Sequence, residues 1–186
     1  MTADRAERGM VDLRRALGLF ATGVTVVTAV DHAADEPRGM TANAFMSGSL
    51  RPPLILVSVK LTAHLHSVLV SAGRFGVSIL PESLEREARR FAGLSLDPHE
   101  PEPRFAWRDG IPVLERAAAW FTADVAERHA TGDHTLFVGQ VRDFLAVDAQ
   151  APPLVFHRSQ FARLVSEPER GPLPTDPWGG LLDLWG

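Results

Sequence analysis

The sequence predicts a mainly β fold of the β-rich α+β kind: a closed or partly closed antiparallel barrel with short peripheral helices. Three observations carry this. Runs of β-branched and aromatic residues at strand length outnumber the amphipathic runs. The amphipathic runs are short. Strands and helices do not alternate regularly, which argues against a doubly wound parallel sheet.

The elements follow in order. Residues 1–9 are polar, mixed in charge and read as frayed. From Met10 a helix is predicted, because Leu13, Ala16, Leu17 and Phe20 recur at helical spacing; Gly23 stops it. Residues 24–30 are rich in β-branched side chains and read as a strand. A polar turn over 31–37 sends the chain back antiparallel through the stretch 39–50. Pro52 and Pro53 interrupt the ladder. Residues 54–60 are apolar enough for a strand buried on both faces for most of its length. Thr62 is placed to cap a short helix holding Leu65, Val68 and Leu69 and ending at Gly73. Residues 75–80 form another strand, and Pro81-Glu82-Ser83 opens a helix with Leu84, Ala88 and Phe91 inward. Residues 94–104, with several prolines and acids, make an exposed loop. Residues 111–114 lead into 117–128, where apolar and polar residues alternate with period two, a strand. A turn at 130–133 and a second long strand, 134–147, complete a hairpin. Residues 153–157 are extended. The organisation expected is one domain over 10–165 and a tail, 166–186, rich in Pro and Gly and ending among Trp178, Leu181, Leu182, Leu184 and Trp185.

Composition removes several function classes. At 186 residues the chain makes one domain with a substantial core. A net charge of −4 without a basic block argues against a nucleic-acid partner. With no cysteine, disulfides, thiolate metal sites and cysteine nucleophiles are excluded. The N-terminus lacks the apolar core of a signal peptide and no run is long enough to span a membrane, so a cytoplasmic protein without a membrane partner is expected. Gly-x-Gly-x-x-Gly, phosphate-loop and Gly-x-Ser-x-Gly patterns are absent.

One stretch has unusual chemistry for its position. Gly39-Met40-Thr41-Ala42-Asn43-Ala44-Phe45-Met46-Ser47-Gly48-Ser49-Leu50 lies between apolar segments, yet it carries small residues and hydroxyls. Small side chains let a ligand approach the backbone, and the hydroxyls give it polar partners; the same pattern also suits an edge strand with a polar face. His64 and His66 are two apart, which fits no zinc spacing, and they read as surface residues. His134 follows Gly132-Asp133 at a turn and leads into a strand, where it either meets a ligand at a barrel mouth or bonds local backbone.

These residues carry a resemblance. The run from Gly39 to Ser47, with Ser49-Leu50 and Pro53-Leu54 after it, resembles the signature of the short-chain flavin reductase family. So does Gly132-Asp133-His134-Thr135-Leu136-Phe137-Val138-Gly139. The run from Phe20 to Thr28, and Pro153 to Arg158 with Phe161 and Leu164, agree in order and spacing. The resemblance spans about residues 10–165. It implies a homodimeric FMN-binding split barrel, an NAD(P)H:flavin oxidoreductase using FMN or FAD with NADH or NADPH, and a partner monooxygenase that receives reduced flavin. The alternatives are a flavin carrier or sensor on the same barrel, or another split-barrel flavin oxidase.

On that resemblance, backbone from Thr41 through Ala42, Asn43 and Ala44 to Phe45 faces the polar rim of the isoalloxazine, with the Asn43 side chain adding to it. Ser47 and Ser49 reach toward the ribityl chain or phosphate. Ser58 and Lys60, with Arg89 and Arg90, are phosphate candidates. Phe91-Ala92 resembles a family position beside the flavin, while Phe91 is equally well explained as the inner residue of its helix. His134 is expected where the nicotinamide docks, with Asp133 orienting it; Phe156 and Arg163 are candidates for the same pocket. Hydride passes directly between two stacked rings, so neither a catalytic side chain nor a metal is expected. Gly48 departs from the family, which commonly has an aliphatic residue there, and is expected to loosen the strand or make room for a bulkier flavin.

Overall fold

This computed structural model describes residues 3–94, 99 and 101–164. The elements are α1 (Ala3–Leu17), β1 (Thr22–Gly23), β2 (Thr25–Asp31), β3 (Glu36–Ala42), β4 (Phe45–Leu50), β5 (Pro53–Lys60), α2 (His64–Ala72), β6 (Arg74–Ile79), α3 (Glu85–Phe91, after a 3-10 turn Glu82–Leu84), β7 (Phe105–Arg108), β8 (Ile111–Leu114), β9 (Ala119–Thr131), β10 (His134–Ala146), β11 (Leu154–His157) and β12 (Gln160–Arg163). Strand β2 joins two cores, because side chains alternate across a strand. Val27 and Ala29 belong to a cluster with Val57, Leu69, Phe75 and Phe137. Val26 and the preceding Val24 belong to another, with Leu80, Leu84, Ala88 and Leu154. Burial on both faces explains why β2 shows no regular apolar–polar alternation.

A seven-stranded sheet surrounds the first core, in the order β3-β2-β6-β9-β10-β5-β4. Every pair in it is antiparallel. Its edges, β3 and β4, are joined by Asn43 and Ala44 alone. Three Cα steps span at most about 11 Å, so the sheet must curl until its edges meet. The result is an antiparallel split β-barrel. Helix α2 covers the interior with Leu65, Val68 and Leu69. The second core lies outside the barrel, under α3, the β7–β8 hairpin and a small sheet ordered β1-β11-β12. Among the described residues no helix is long and apolar enough to cross a membrane.

Several expectations need correction. The helix expected from Met10 begins at Ala3, because residues 3–8 are mostly strong helix formers. It ends at Leu17, so Phe20 lies beyond it. The stretch 39–50 is not one strand: β3 ends at Ala42 and β4 starts at Phe45 on the opposite edge of the sheet. β5 is fully buried on one face only, through Ile55, Val57 and Val59. Thr62 does not cap α2; the N-cap is Ala63, with no side-chain bond, while Gly73 does end the helix in the left-handed conformation. His66 is half-buried rather than a surface residue, with Nε2 2.9 Å from Thr135 Oγ1. Gly48 lies at a bulge in the β4–β5 ladder, in keeping with a loosened strand, and the space beside it is taken by the Leu56 side chain. The tail 166–186 lies outside the described residues.

Candidate active site

A cavity of about 620 Å³ opens between the end of β3, helix α3 and the β11–β12 hairpin. Thr41 and Asn43, with Val24 below them, form one wall. Arg89, Ala92 and Leu94 from α3 and the turn after it form the second. Phe156, Ser159, Gln160 and Phe161 form the third.

Hydrogen bonding decides what each wall can offer. The Thr41 hydroxyl donates to the carbonyl of Ala88 at 2.6 Å, tying β3 to α3. Its proton is therefore committed, and toward a ligand its oxygen can only accept. Asn43 is exposed at the barrel's closing corner, and its carboxamide carries both donor and acceptor. Arg89 donates through Nε and Nη2 to Glu85 Oε1, at 2.9 and 2.6 Å. Its guanidinium lies 5.1 Å from the centre of the Phe161 ring. Phe161 in turn meets Phe156 edge-on at 5.6 Å. Helix α3 and the hairpin are thus linked through an ion pair, a cation–π contact and an aromatic pair.

A second cluster lies beyond the same corner. The Ser58 N–H donates to the Ala44 carbonyl at 3.1 Å. Two residues on, about 7 Å along the strand, Lys60 pairs with His134 across the β5–β10 ladder. The Leu61 N–H holds the carbonyl of Asp133 at 2.9 Å. His134 Nδ1 lies 2.7 Å from Asp133 Oδ1. An ionised carboxylate only accepts, so Nδ1 carries the hydrogen and Nε2 is the nitrogen left for a ligand. That hydrogen bond holds the Asp133 carboxyl below its ordinary value of 3.8, with Lys60 adding a weaker pull.

Of the residues expected from sequence, the structure brings Thr41, Asn43, Arg89 and Phe156 to the cavity. Ala44, Ser58, Lys60, Asp133 and His134 gather at the neighbouring cluster and do not line it. The other expected residues, Ala92 apart, do not line the cavity. Ala42 is buried and its carbonyl accepts from Thr25 Oγ1 at 2.8 Å. Phe45 packs on Phe121 with ring centres 6.0 Å apart. Ser47 is exposed on β4, and Ser49 accepts the Arg51 N–H at 3.1 Å. Arg90 is ion-paired with Glu102. Phe91 meets Phe105 edge-on at 6.1 Å and lies over Gly39, where a Cβ would come within 2.7 Å of its ring. Arg163 lies 3.7 Å from Glu82. Ala92, expected with Phe91 beside the flavin, lines the cavity, and so does Phe161, which the resemblance included without an assigned role. Ser159 and Gln160 gave no signal, because their turn lacks the glycine or asparagine that marks one.

With this geometry established, comparison with known proteins is decisive. The family model of the flavin reductase like domain matches residues 17–165. The chain belongs to the flavin reductase-like family. An NADH-dependent flavin reductase of a Rhodococcus species is 44% identical over 154 residues, 82% of this chain and 85% of that one. The styrene monooxygenase flavin reductase of Pseudomonas putida S12 superposes with a TM-score of 0.75 at 36% identity, over 83% of this chain and 97% of that one. The NADH:FAD oxidoreductase of Streptomyces globisporus C-1027, in complex with NAD and FAD fragments, superposes with a TM-score of 0.77 at 36% identity, over 87% of this chain and 96% of that one. This flavin reductase-like chain therefore shares both sequence and barrel with reductases of that chemistry.

Proposed function

We propose that this protein is an NAD(P)H:flavin oxidoreductase, with NADH as donor and FMN or FAD as acceptor, that passes reduced flavin to a separate monooxygenase. The observation that carries the reading is the cavity: a polar corner at Thr41 and Asn43 faces an aromatic wall at Phe156 and Phe161. Those residues fit a flavin. A heteroaromatic ring needs a flat apolar surface and a few edge partners, and a cavity of about 620 Å³ falls in the range of small-molecule sites. Bound flavin supplies the acceptor for the hydride that leaves the nicotinamide. Asn43 presents donor and acceptor to the ring edge, and Thr41 accepts. Arg89 is a cation toward which a phosphate or the anionic reduced ring is drawn. Ser58 and Lys60 offer further donors beyond the corner. His134, oriented by Asp133, presents Nε2 to the rest of the nicotinamide nucleotide beyond the corner. None of these groups moves a proton in the transfer itself; they orient two rings and keep water out.

The relatives' names support NADH over NADPH and a monooxygenase as recipient. A homodimer fits the exposed apolar side chains at one end of the barrel. Phe144 stacks on Phe121 yet remains 65% exposed. Leu50 and Leu145 are also exposed. Large apolar residues left open in this number mark a contact surface. The reaction belongs in the cytoplasm, with its supply of reduced nicotinamide. The test is steady-state oxidation of NADH and NADPH by the purified protein with FMN, FAD or riboflavin. Flavin-dependent NADH oxidation is expected; flavin binding without oxidation of either nucleotide would leave a carrier and end this reading.

A further inference from the structure

The turn that joins β11 to β12 is built against its own backbone preference. Arg158 and Ser159 both adopt left-handed φ, at 50° and 62°. A two-residue turn with both φ positive favours Asn-Gly, and an Arg-Ser pair is a poor match. The turn is nevertheless held firmly. The Arg158 N–H donates to the Gly18 carbonyl at 2.7 Å, just after α1. Phe156 and Phe161 pair beneath it, and Arg89 lies over Phe161. What the strained backbone delivers is Ser159 and Gln160 to the cavity wall. They are the polar residues of the hairpin wall, which is otherwise aromatic. Strain of this kind persists where the surroundings over-determine it and a site gains from it.

We propose that Gln160, placed by the Arg158–Ser159 turn, is the specificity-determining contact for the nicotinamide carboxamide. The inference rests on the reductase reading and deepens it. Thr41 and Asn43 serve the flavin edge from the opposite wall, so the second ring of the stack falls on the hairpin side. That ring bears a primary carboxamide, a donor beside an acceptor. The Gln160 carboxamide is its complement, acceptor to donor and donor to acceptor. The flavin's imide edge has the same donor–acceptor chemistry, so the experiment must separate the two.

Gln160→Leu is compared with the parent for NADH KM, for flavin Kd by fluorescence quenching, and for the kcat/KM ratio between NADH and reduced 3-acetylpyridine adenine dinucleotide. That analogue lacks the amide N–H. Its different intrinsic reactivity is common to both proteins and cancels between them. Gln160→Leu is expected to raise NADH KM and to lower the ratio, each about tenfold, with flavin Kd unchanged. An unchanged ratio, or a flavin Kd that shifts while the NADH terms stay put, overturns the proposal. A parent that oxidises neither nucleotide with any flavin defeats the reductase reading itself, a different result. The double variant Arg158→Asn/Ser159→Gly tests the turn. It should raise Tm by about 2–6 °C as strain is relieved, and an unchanged or lower Tm contradicts a strained turn.

Discussion

Gly139 ends one of the segments that resemble the flavin reductase family, yet the side chain it accommodates is Phe75. A Cβ at Gly139 would overlap that ring and approach Ala123 Cβ at 3.0 Å. Gly39 does the same for Phe91, and Gly48 for Leu56. Gly39 and Gly139 are therefore packing requirements here. Gly139→Val should destabilise the fold by about 1–3 kcal/mol through overpacking, seen as a Tm lower by roughly 2–10 °C. The folded fraction should bind flavin like the parent; a flavin Kd that changes with Tm intact would place Gly139 at the site. At His134 the geometry favours function, since Nδ1 is held by Asp133 and Nε2 points away from that bond. His134→Ala should raise NADH KM several-fold with flavin Kd unchanged, and equal NADH kinetics would remove His134 from the site. The Asp133 carboxyl is held low in the folded state, so its contribution to stability is present above 3.8 and is lost as pH falls through the lowered folded value. Asp133→Asn should thus change stability only above that acid window, and slightly, because the pair is exposed.

Element by element, the strands were legible because their composition forces them. Residues 24–30 and 54–60 have few alternatives to a strand, and the β9–β10 hairpin is announced by period two and by Gly132, at φ 64°. What failed depended on partners far along the chain. Nothing local says that β3 must stop at Ala42 and β4 resume at Phe45 on the other edge of the sheet. That break comes from barrel closure, and it makes Asn43 a corner rather than a strand residue. The cap of α2 failed because Thr62 lies one position too early for the helix that the Gly73 end selects. The hairpin wall was half legible: Phe156 and Phe161 fell within recognisable segments, but Ser159 and Gln160 reach the cavity only through a turn their sequence disfavours. Helix α1 carries Leu13, Ala16 and Leu17 of its predicted stripe, yet Leu13 and Leu17 are exposed, Leu17 by 65%.

At the scale of the molecule, closing the sheet with two residues brings both parts of the proposed reaction to one corner. Thr41 and Asn43 face the cavity on one side of it, and Ser58, Lys60 and His134 follow on the other. The end of the barrel bearing Phe144 and Leu145 remains apolar and open. Phe144→Asp should convert the proposed dimer into monomers in sedimentation experiments while leaving the barrel folded; a parent that is already monomeric would contradict the proposed homodimer. The corner itself is tested most directly by anaerobic mixing of NADH with the parent and with Asn43→Ala, each with FMN or FAD. Bleaching of the flavin by NADH is followed in the same experiment as flavin Kd. The parent should bleach its flavin, and Asn43→Ala should bind flavin roughly tenfold more weakly, the loss expected for an unreplaced hydrogen bond of about 1–1.5 kcal/mol. Full bleaching with unchanged flavin Kd in Asn43→Ala would place the flavin elsewhere, and a parent whose flavin stays oxidised under NADH would contradict the account at its centre.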